Sequence, residues 1–184
     1  MSDLLLFVAF FAAVNPPRSR VGLPEGPGGR IQPAAVVVGA LVSVAAIVAL
    51  GWWSAPILDA LEITPETFRI AAGLVAVLAG AWAFVVAVPA TEPPLGGWRD
   101  GLWPIAYPRI LAPEVLLLAM AGATQNGVLA TTVAAGMGVA TVAWLGAVRG
   151  TDRTIRMLVA GGRVLAVLLV VAGIFLMVDG IRDV

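Results

Sequence analysis

The sequence predicts an all-α membrane protein of six transmembrane helices, arranged as two inverted three-helix repeats, with helices 1 and 4 broken by proline. Three observations carry that expectation. The chain is far more apolar than a soluble domain: 60% of its 184 residues are hydrophobic, 12% are charged, and the mean hydropathy is +1.00, against roughly 45–50% apolar and 25% charged in soluble folds. Six apolar stretches approach the 20 or so residues that a bilayer requires of a helix, and Pro, Gly and charge separate them. The first and fourth stretches share the same defect, a proline-rich interruption at membrane depth.

Taken in order, the spans are Leu4–Leu23, Pro33–Trp53, Phe68–Val88, Leu102–Ala121, Gly127–Val148 and Met157–Val178. The connector Pro24-Glu-Gly-Pro-Gly-Gly-Arg30 reads as a loop, and residues 92–97 form the longest break. Ile63-Thr-Pro-Glu66 opens a helix, with Thr64 as N-cap and Pro65 at the first helical position. Span one is strongly apolar only to Val14 before Asn15-Pro16-Pro17-Arg18-Ser19-Arg20; span four carries Tyr107-Pro108-Arg109 and then Pro113-Glu114. Each proline removes a backbone donor and disfavours helix at the residue before it, so both spans are expected to be broken helices or re-entrant hairpins. Such backbone is tolerated at membrane depth only where protein buries it or water reaches it.

Cut near Leu95, the chain divides into repeats 1–95 and 96–184 of one integral membrane domain, each with three spans. The third spans echo one another, Arg69 to Gly80 against Arg163 to Gly173. An odd number of spans per half inverts the second copy, and interrupted helices in matching positions of inverted repeats point to a transporter's solute site. Arg18, Arg20, Arg30, Arg99, Arg149, Arg153 and Arg156 fall on one side, Arg69 and Arg182 on the other with Asp59, Glu62 and Glu66. The positive-inside rule then places both termini outside the cytoplasm. Trp52, Trp53, Trp98, Trp103 and Trp144 sit near span ends, where indole favours the interface.

Composition removes several function classes. The eleven basic residues are all Arg and balance eleven acids, so the basic surplus of a nucleic-acid binder is missing. Without Cys or His, disulfides, thiolate chemistry, His-based metal sites and His-activated nucleophiles are not available. No metal and no cofactor is called for. Ser19, Ser43 and Ser54 lack a His partner and no phosphate loop precedes a helix, which argues against an enzyme. The expected partners are a small-molecule solute and the lipid bilayer. Small residues four apart, Ala72, Ala76 and Gly80 in span three and Ala130, Ala134 and Gly138 in span five, predict close helix packing and leave room for a homodimer seam.

The candidate substrate site is Asn15, Pro16, Pro17 and Arg18 from span one with Tyr107, Pro108, Arg109 and Pro113 from span four. Asn15 and freed carbonyls suit a polar solute, and an Arg in a dry cavity is a donor fork for a carboxylate or phosphate. Pro113 fits the first position of a half-helix whose positive end stabilises Glu114, the candidate carrier of a coupling proton or ion. The structural alternatives are that Arg18 and Arg20 are headgroup residues and that Arg109 and Glu114 form an ion pair which only stabilises the break. Thr124, Gln125, Asn126, Thr131 and Thr132 read as turn chemistry rather than a polar path. Arg69 and Arg163 each begin a third-span echo, and either could snorkel to headgroups.

The Asn15-Pro16 break, Phe68-Arg-Ile-Ala-Ala-Gly73, the interrupted fourth span, and Gly162-Arg-Val-Leu-Ala166 followed by Val178-Asp-Gly-Ile181 resemble the MarC family of six-helix membrane proteins, in the wider LysE-like exporter group. The resemblance runs over nearly the whole chain on short apolar motifs. It implies inverted three-helix repeats, a bacterial inner-membrane location and export of small neutral amino acids in some members. The chain departs from the family pattern where Pro17, Arg18 and Arg20, and Arg109-Ile-Leu-Ala-Pro113-Glu114, replace glycine-rich sequence, which points either to an anionic solute or to a paralogue whose pore is closed. The two readings carried forward are a secondary transporter or exporter and a non-transporting membrane scaffold whose arginines bind anionic lipid or a partner protein.

Overall fold

A computed structural model describes residues 2–23, 31–87, 97–148 and 151–183. Arg149, the whole 24–30 loop with Arg30, and residues 92–96 of the longest break lie outside the described residues. The elements are α1 (Asp3–Val14), α2 (Pro16–Val21), α3 (Pro33–Ala60), α4 (Pro65–Val85), α5 (Pro113–Asn126), α6 (Val128–Gly146) and α7 (Asp152–Asp183), with no strand among the described residues. Between α4 and α5 an irregular helical segment, Gly101–Ile110, departs from helical dihedrals at Trp103 and Tyr107 and has cis peptides before Pro104 and Pro108.

Four helices, α3, α4, α6 and α7, are long and apolar enough to cross a membrane; the Gly101–Ile110 segment and α5, bent by 67° at their junction, make a fifth candidate. The expectation of six spans is met only at this coarser level, because the first stretch is divided into a 12-residue and a 6-residue helix, neither long enough alone. The expected proline breaks are in place. Helix starts follow their sequence signals: Thr64 Oγ1 accepts from the Thr67 N–H with Pro65 at the first position of α4, and Pro113 begins α5. Two helices run past their apolar windows. α3 continues through Pro56 to Ala60 and α7 extends from Asp152 to Asp183, since apolarity marks what lipid or protein covers and not where backbone bonding stops.

Two sets of contacts define the ends of the bundle. At one end the Asn126 amide donates to Asp3 (3.0 Å), the Gln125 amide donates to Asp179 (3.0 Å), and Arg69 meets Asp179 (3.1 Å) and Asp183 (2.8 Å). At the other, Arg18 donates to carbonyls at the end of α4, Arg20 donates to Leu145 and Val148 at the end of α6, and Gly146 packs on Ile31. The pair α1 and α2 therefore carries the chain from the Asp3 end to the Arg20 end. Each broken span packs on the other half of the chain, α2 on α6 and α7, and α5 on α3 and α4.

The antiparallel pair α4 and α7 meets through glycine. A Cβ on Gly73 would lie 2.6 Å from the Gly173 carbonyl oxygen, and one on Gly173 would lie 2.6 Å from that of Gly73. Gly80 sits on Ala166 and Val170 as Gly180 sits on Glu66 and Ile70, and Gly73 meets Met177 as Gly173 meets Val77. Each contact maps onto its counterpart when residue i is exchanged with i plus about 100, a local two-fold about Gly73 and Gly173. This register pairs Gly80 with Gly180, not with Gly173 as the sequence echo aligned them; repetitive Val, Leu and Ala hide a slip of two helical turns. Ala72, Ala76 and Gly80 are buried in α4, while Gly138 of the other stripe packs on Val14.

Gly173→Leu is expected to force α4 and α7 apart and destabilise the protein by about 1–3 kcal/mol, seen as a lower unfolding temperature in detergent. Gly136→Ala, where an added Cβ meets nothing within 4 Å, is expected to leave that temperature unchanged.

Candidate functional site

Asn15 makes the first break. Its backbone is left-handed (φ 44°), a conformation that Asn adopts more readily than most residues. Its N–H closes α1 onto the Phe11 carbonyl, and its side-chain oxygen caps α2 by accepting from the Arg18 N–H at 3.2 Å. The amide then donates to the Gly162 carbonyl of α7 at 2.9 Å. A Cβ on Gly162 would come within 3.3 Å of that side-chain oxygen, so glycine lets α7 approach. Pro16 and Pro17 lie at the first positions of α2, where a missing N–H costs nothing. Ser19 donates to the Val14 carbonyl at 2.7 Å, closing the break from the other side.

α2 aims two arginines at helix ends. Arg18 Nη1 donates to the carbonyls of Ala83 and, at 3.0 Å, of Val86, where α4 ends. Arg20, 3% exposed, donates to Leu145 at 3.1 Å and Val148 at 3.0 Å, where α6 ends. Helix C-termini expose carbonyls and carry partial negative charge, so each cation is stabilised there by about 0.3–1 kcal/mol, up to about 2 when partly buried. Arg20 is therefore a buried cap on the end of α6.

The second break faces the first. A cavity of about 130 Å³ is lined by Asn15, Arg18, Ser19, Pro108, Arg109 and Glu114, with small apolar residues closing it. Two guanidinium groups, a carboxylate, an amide and a hydroxyl thus share one small space. Arg18 and Glu114 interact electrostatically across it. Among the described residues no ion pair joins Arg109 to Glu114; the Arg109 guanidinium instead lies against Gly22, where an added Cβ would fall 2.3 Å from its central carbon. Of the expected site residues, Asn15, Arg18, Pro108, Arg109 and Glu114 line the cavity. Pro16, Pro17 and Pro113 shape the breaks without lining it, and Tyr107 is exposed beside Trp103, ring centroids 5.5 Å apart.

A second hollow, about 230 Å³, is lined by Arg18, Val21, Ala83, Val86, Ala87, Val159, Gly162 and Arg163. Arg18 and Ala83 belong to both, so they form the partition between them. Compared with protein-family models, curated proteins and solved structures, the chain matches none.

The threonines of the expected turn cluster and of α6 are satisfied within their own helices. Thr131, Thr132 and Thr141 donate to carbonyls four residues back, and Thr124 to Met120 and Ala121, the usual way hydroxyls are satisfied inside helices. Arg69 departs from the snorkelling alternative: it is 4% exposed and bound by carboxylates of α7. The signal was present, since an arginine in an apolar span needs a partner and Asp179 and Asp183 lie one turn apart. Nothing in the sequence pattern marks Ala83 or Leu169 as cavity residues.

Asn15→Ala removes the cap and the bond to α7 and forces a left-handed alanine. It is expected to cost about 1–2 kcal/mol in detergent unfolding. Asn15→Gly, which accepts the dihedral but restores neither bond, should lose less.

Proposed function

We propose that the protein is a secondary transporter or exporter of a small polar solute in a bacterial inner membrane, with the solute held where the two proline breaks meet. The observation that carries this reading is the convergence of Asn15, Arg18 and Ser19 from one break with Pro108, Arg109 and Glu114 from the other on a single 130 Å³ cavity. A structural break needs its backbone satisfied; it does not need a hollow lined by side chains of both charge signs.

The architecture proposed is six crossings, with α1 and α2 as the first and the Gly101–Ile110 segment with α5 as the fourth. The two-fold contacts of α4 and α7, and the packing of each broken span on the other half, support inverted repeats 1–95 and 96–184. The resemblance to the MarC family points the same way. With the basic end inside, both termini face away from the cytoplasm.

The cavity suits a solute of a few heavy atoms that carries both charges better than a simple anion, because Glu114 opposes an anion while Arg109 attracts its carboxylate. A small neutral amino acid meets that description, its carboxylate toward Arg109 and Asn15 and its ammonium toward Glu114. Glu114 then also carries the coupling proton. Arg18, with Nη1 given to α4, acts as the partition to the outer hollow rather than as the main anchor. The scaffold reading has one observation in its favour, the hollow beside Arg18 and exposed Arg163, which would take an anionic lipid headgroup.

Purified protein in liposomes is expected to catalyse counterflow of radiolabelled alanine, glycine or threonine, measured beside a panel of anions. Arg109→Ala should weaken it by about ten- to a hundredfold, the value of a charged hydrogen bond, and Gly22→Ala should do so partly by displacing the same guanidinium. Glu114→Gln should keep exchange and lose response to a proton gradient. Absence of exchange for every solute in folded protein would favour the scaffold.

A further inference from the structure

The two-fold about Gly73 and Gly173 makes the two ends of the α4–α7 pair comparable, and they are built differently. At the Asp3 end Arg69 lies on α4, 3.1 Å from Asp179 and 2.8 Å from Asp183 of α7, with Glu66 at 3.6 Å. Gln125 of α5 donates to the same Asp179 at 3.0 Å, which ties the second broken span into the group. Shifted by 100 residues, Arg69 corresponds to Leu169, Asp179 to Ala79 and Asp183 to Ala83. The Arg20 end thus has small or apolar side chains where the Asp3 end has ionised ones. Leu169 and Ala83 line the cavity, and Ala83 also lines the outer hollow.

Among the described residues, the surroundings of the cavity also differ between the two ends. Arg18 and Ala83 line both the cavity and the outer hollow, so the two hollows adjoin toward the Arg20 end. Toward the Asp3 end Leu6, Phe10, Val115, Leu118 and Leu176 are each at most 1% exposed, and the Arg69 group lies on that side of the bundle.

We infer that Arg69, Asp179, Asp183 and Gln125 form a latch that keeps the Asp3 end of α4, α5 and α7 closed while the cavity opens toward the Arg20 end, and that releasing it opens the Asp3 face. This rests on the transport reading, in which one site is exposed alternately to two faces. The glycine crossing suits the motion: with no side chain between Gly73 and Gly173, α4 and α7 can rock about a fixed central contact while their ends part. The ionic group supplies a differential contact, present in one state and lost in the other, without which no population would shift.

The chain has no cysteine, so one introduced thiol reports alone. Ala112→Cys places it in the cavity wall, and reaction with a membrane-impermeant maleimide is measured from each face of oriented vesicles. With the latch intact the thiol is expected to react from the Arg20 face. Asp179→Asn with Asp183→Asn should raise the rate from the Asp3 face by about tenfold, the change produced by about 1.4 kcal/mol of lost differential contact. Asp183→Asn alone, at a half-exposed side chain, should give a smaller rise in a protein that still folds, and Arg69→Lys, which keeps the charge but not the two-acceptor fork, should also give an intermediate rise. An Asp3-face rate unchanged in both Asn variants overturns the latch, whatever the counterflow result. A rate that rises in protein lacking counterflow supports the latch and counts against the solutes tested, so the two readings fail separately.

Discussion

Backbone polar groups freed inside an apolar bundle must find partners, and the rest of the structure follows from how the first break meets that demand. A buried unpaired donor or acceptor costs roughly 1–3 kcal/mol, and lipid offers no water to supply the bond. Asn15 answers for three groups at once: its dihedral ends α1, its side-chain oxygen starts α2, and its amide reaches Gly162 on α7. Without that turn α2 would not point Arg18 and Arg20 at the ends of α4 and α6. One residue therefore sets the direction of a short helix, and the short helix seals two long ones.

The same economy leaves the cavity where it is. Arg18 satisfies α4 by lying across the gap between α2 and α4, so it is both a helix cap and the wall between two hollows. About ten residues separate the Gly73 crossing from Ala83 on α4, roughly 15 Å at 1.5 Å per residue. The cavity, bounded by Leu169 and Ala83, accordingly sits between the crossing and the Arg20 end. The arrangement is asymmetric although the helix contacts at its centre are two-fold.

Much of the architecture was legible because proline and glycine state their backbone consequences locally. Pro16, Pro65 and Pro113 each mark the start of a helix, Thr64 its cap, and the interrupted segments are where the apolar length ran short. Both proline breaks were read from the sequence as one candidate site, and residues of both line a single cavity. The partners of the charged residues were not legible. Arg69 reads identically whether it snorkels or is bound by Asp179, because the decision lies 110 residues away on another helix. Arg18 and Arg20 likewise meet main-chain carbonyls, which carry no sequence signal. The repeat register failed for a related reason: in Val, Leu and Ala sequence only the few glycines that touch fix the alignment, and touching is a property of the packed pair.

Arginine, and not lysine, suits each of these places. A guanidinium is a planar fork with five donors and reaches two acceptors in one geometry: Leu145 and Val148 for Arg20, Asp179 and Asp183 for Arg69. Of the arginines that sequence counting assigns to one face or the other, Arg20 and Arg69 are buried and Arg18 is half-buried as a helix cap, so all three say little about a lipid potential. The charge asymmetry does not depend on them. Arg99, Arg153, Arg156 and Arg163 are exposed at or toward the Arg20 end, against exposed Arg182 at the Asp3 end. The exposed residues alone keep the same sign of bias, so the charge asymmetry and the capping of helix ends draw on different residues.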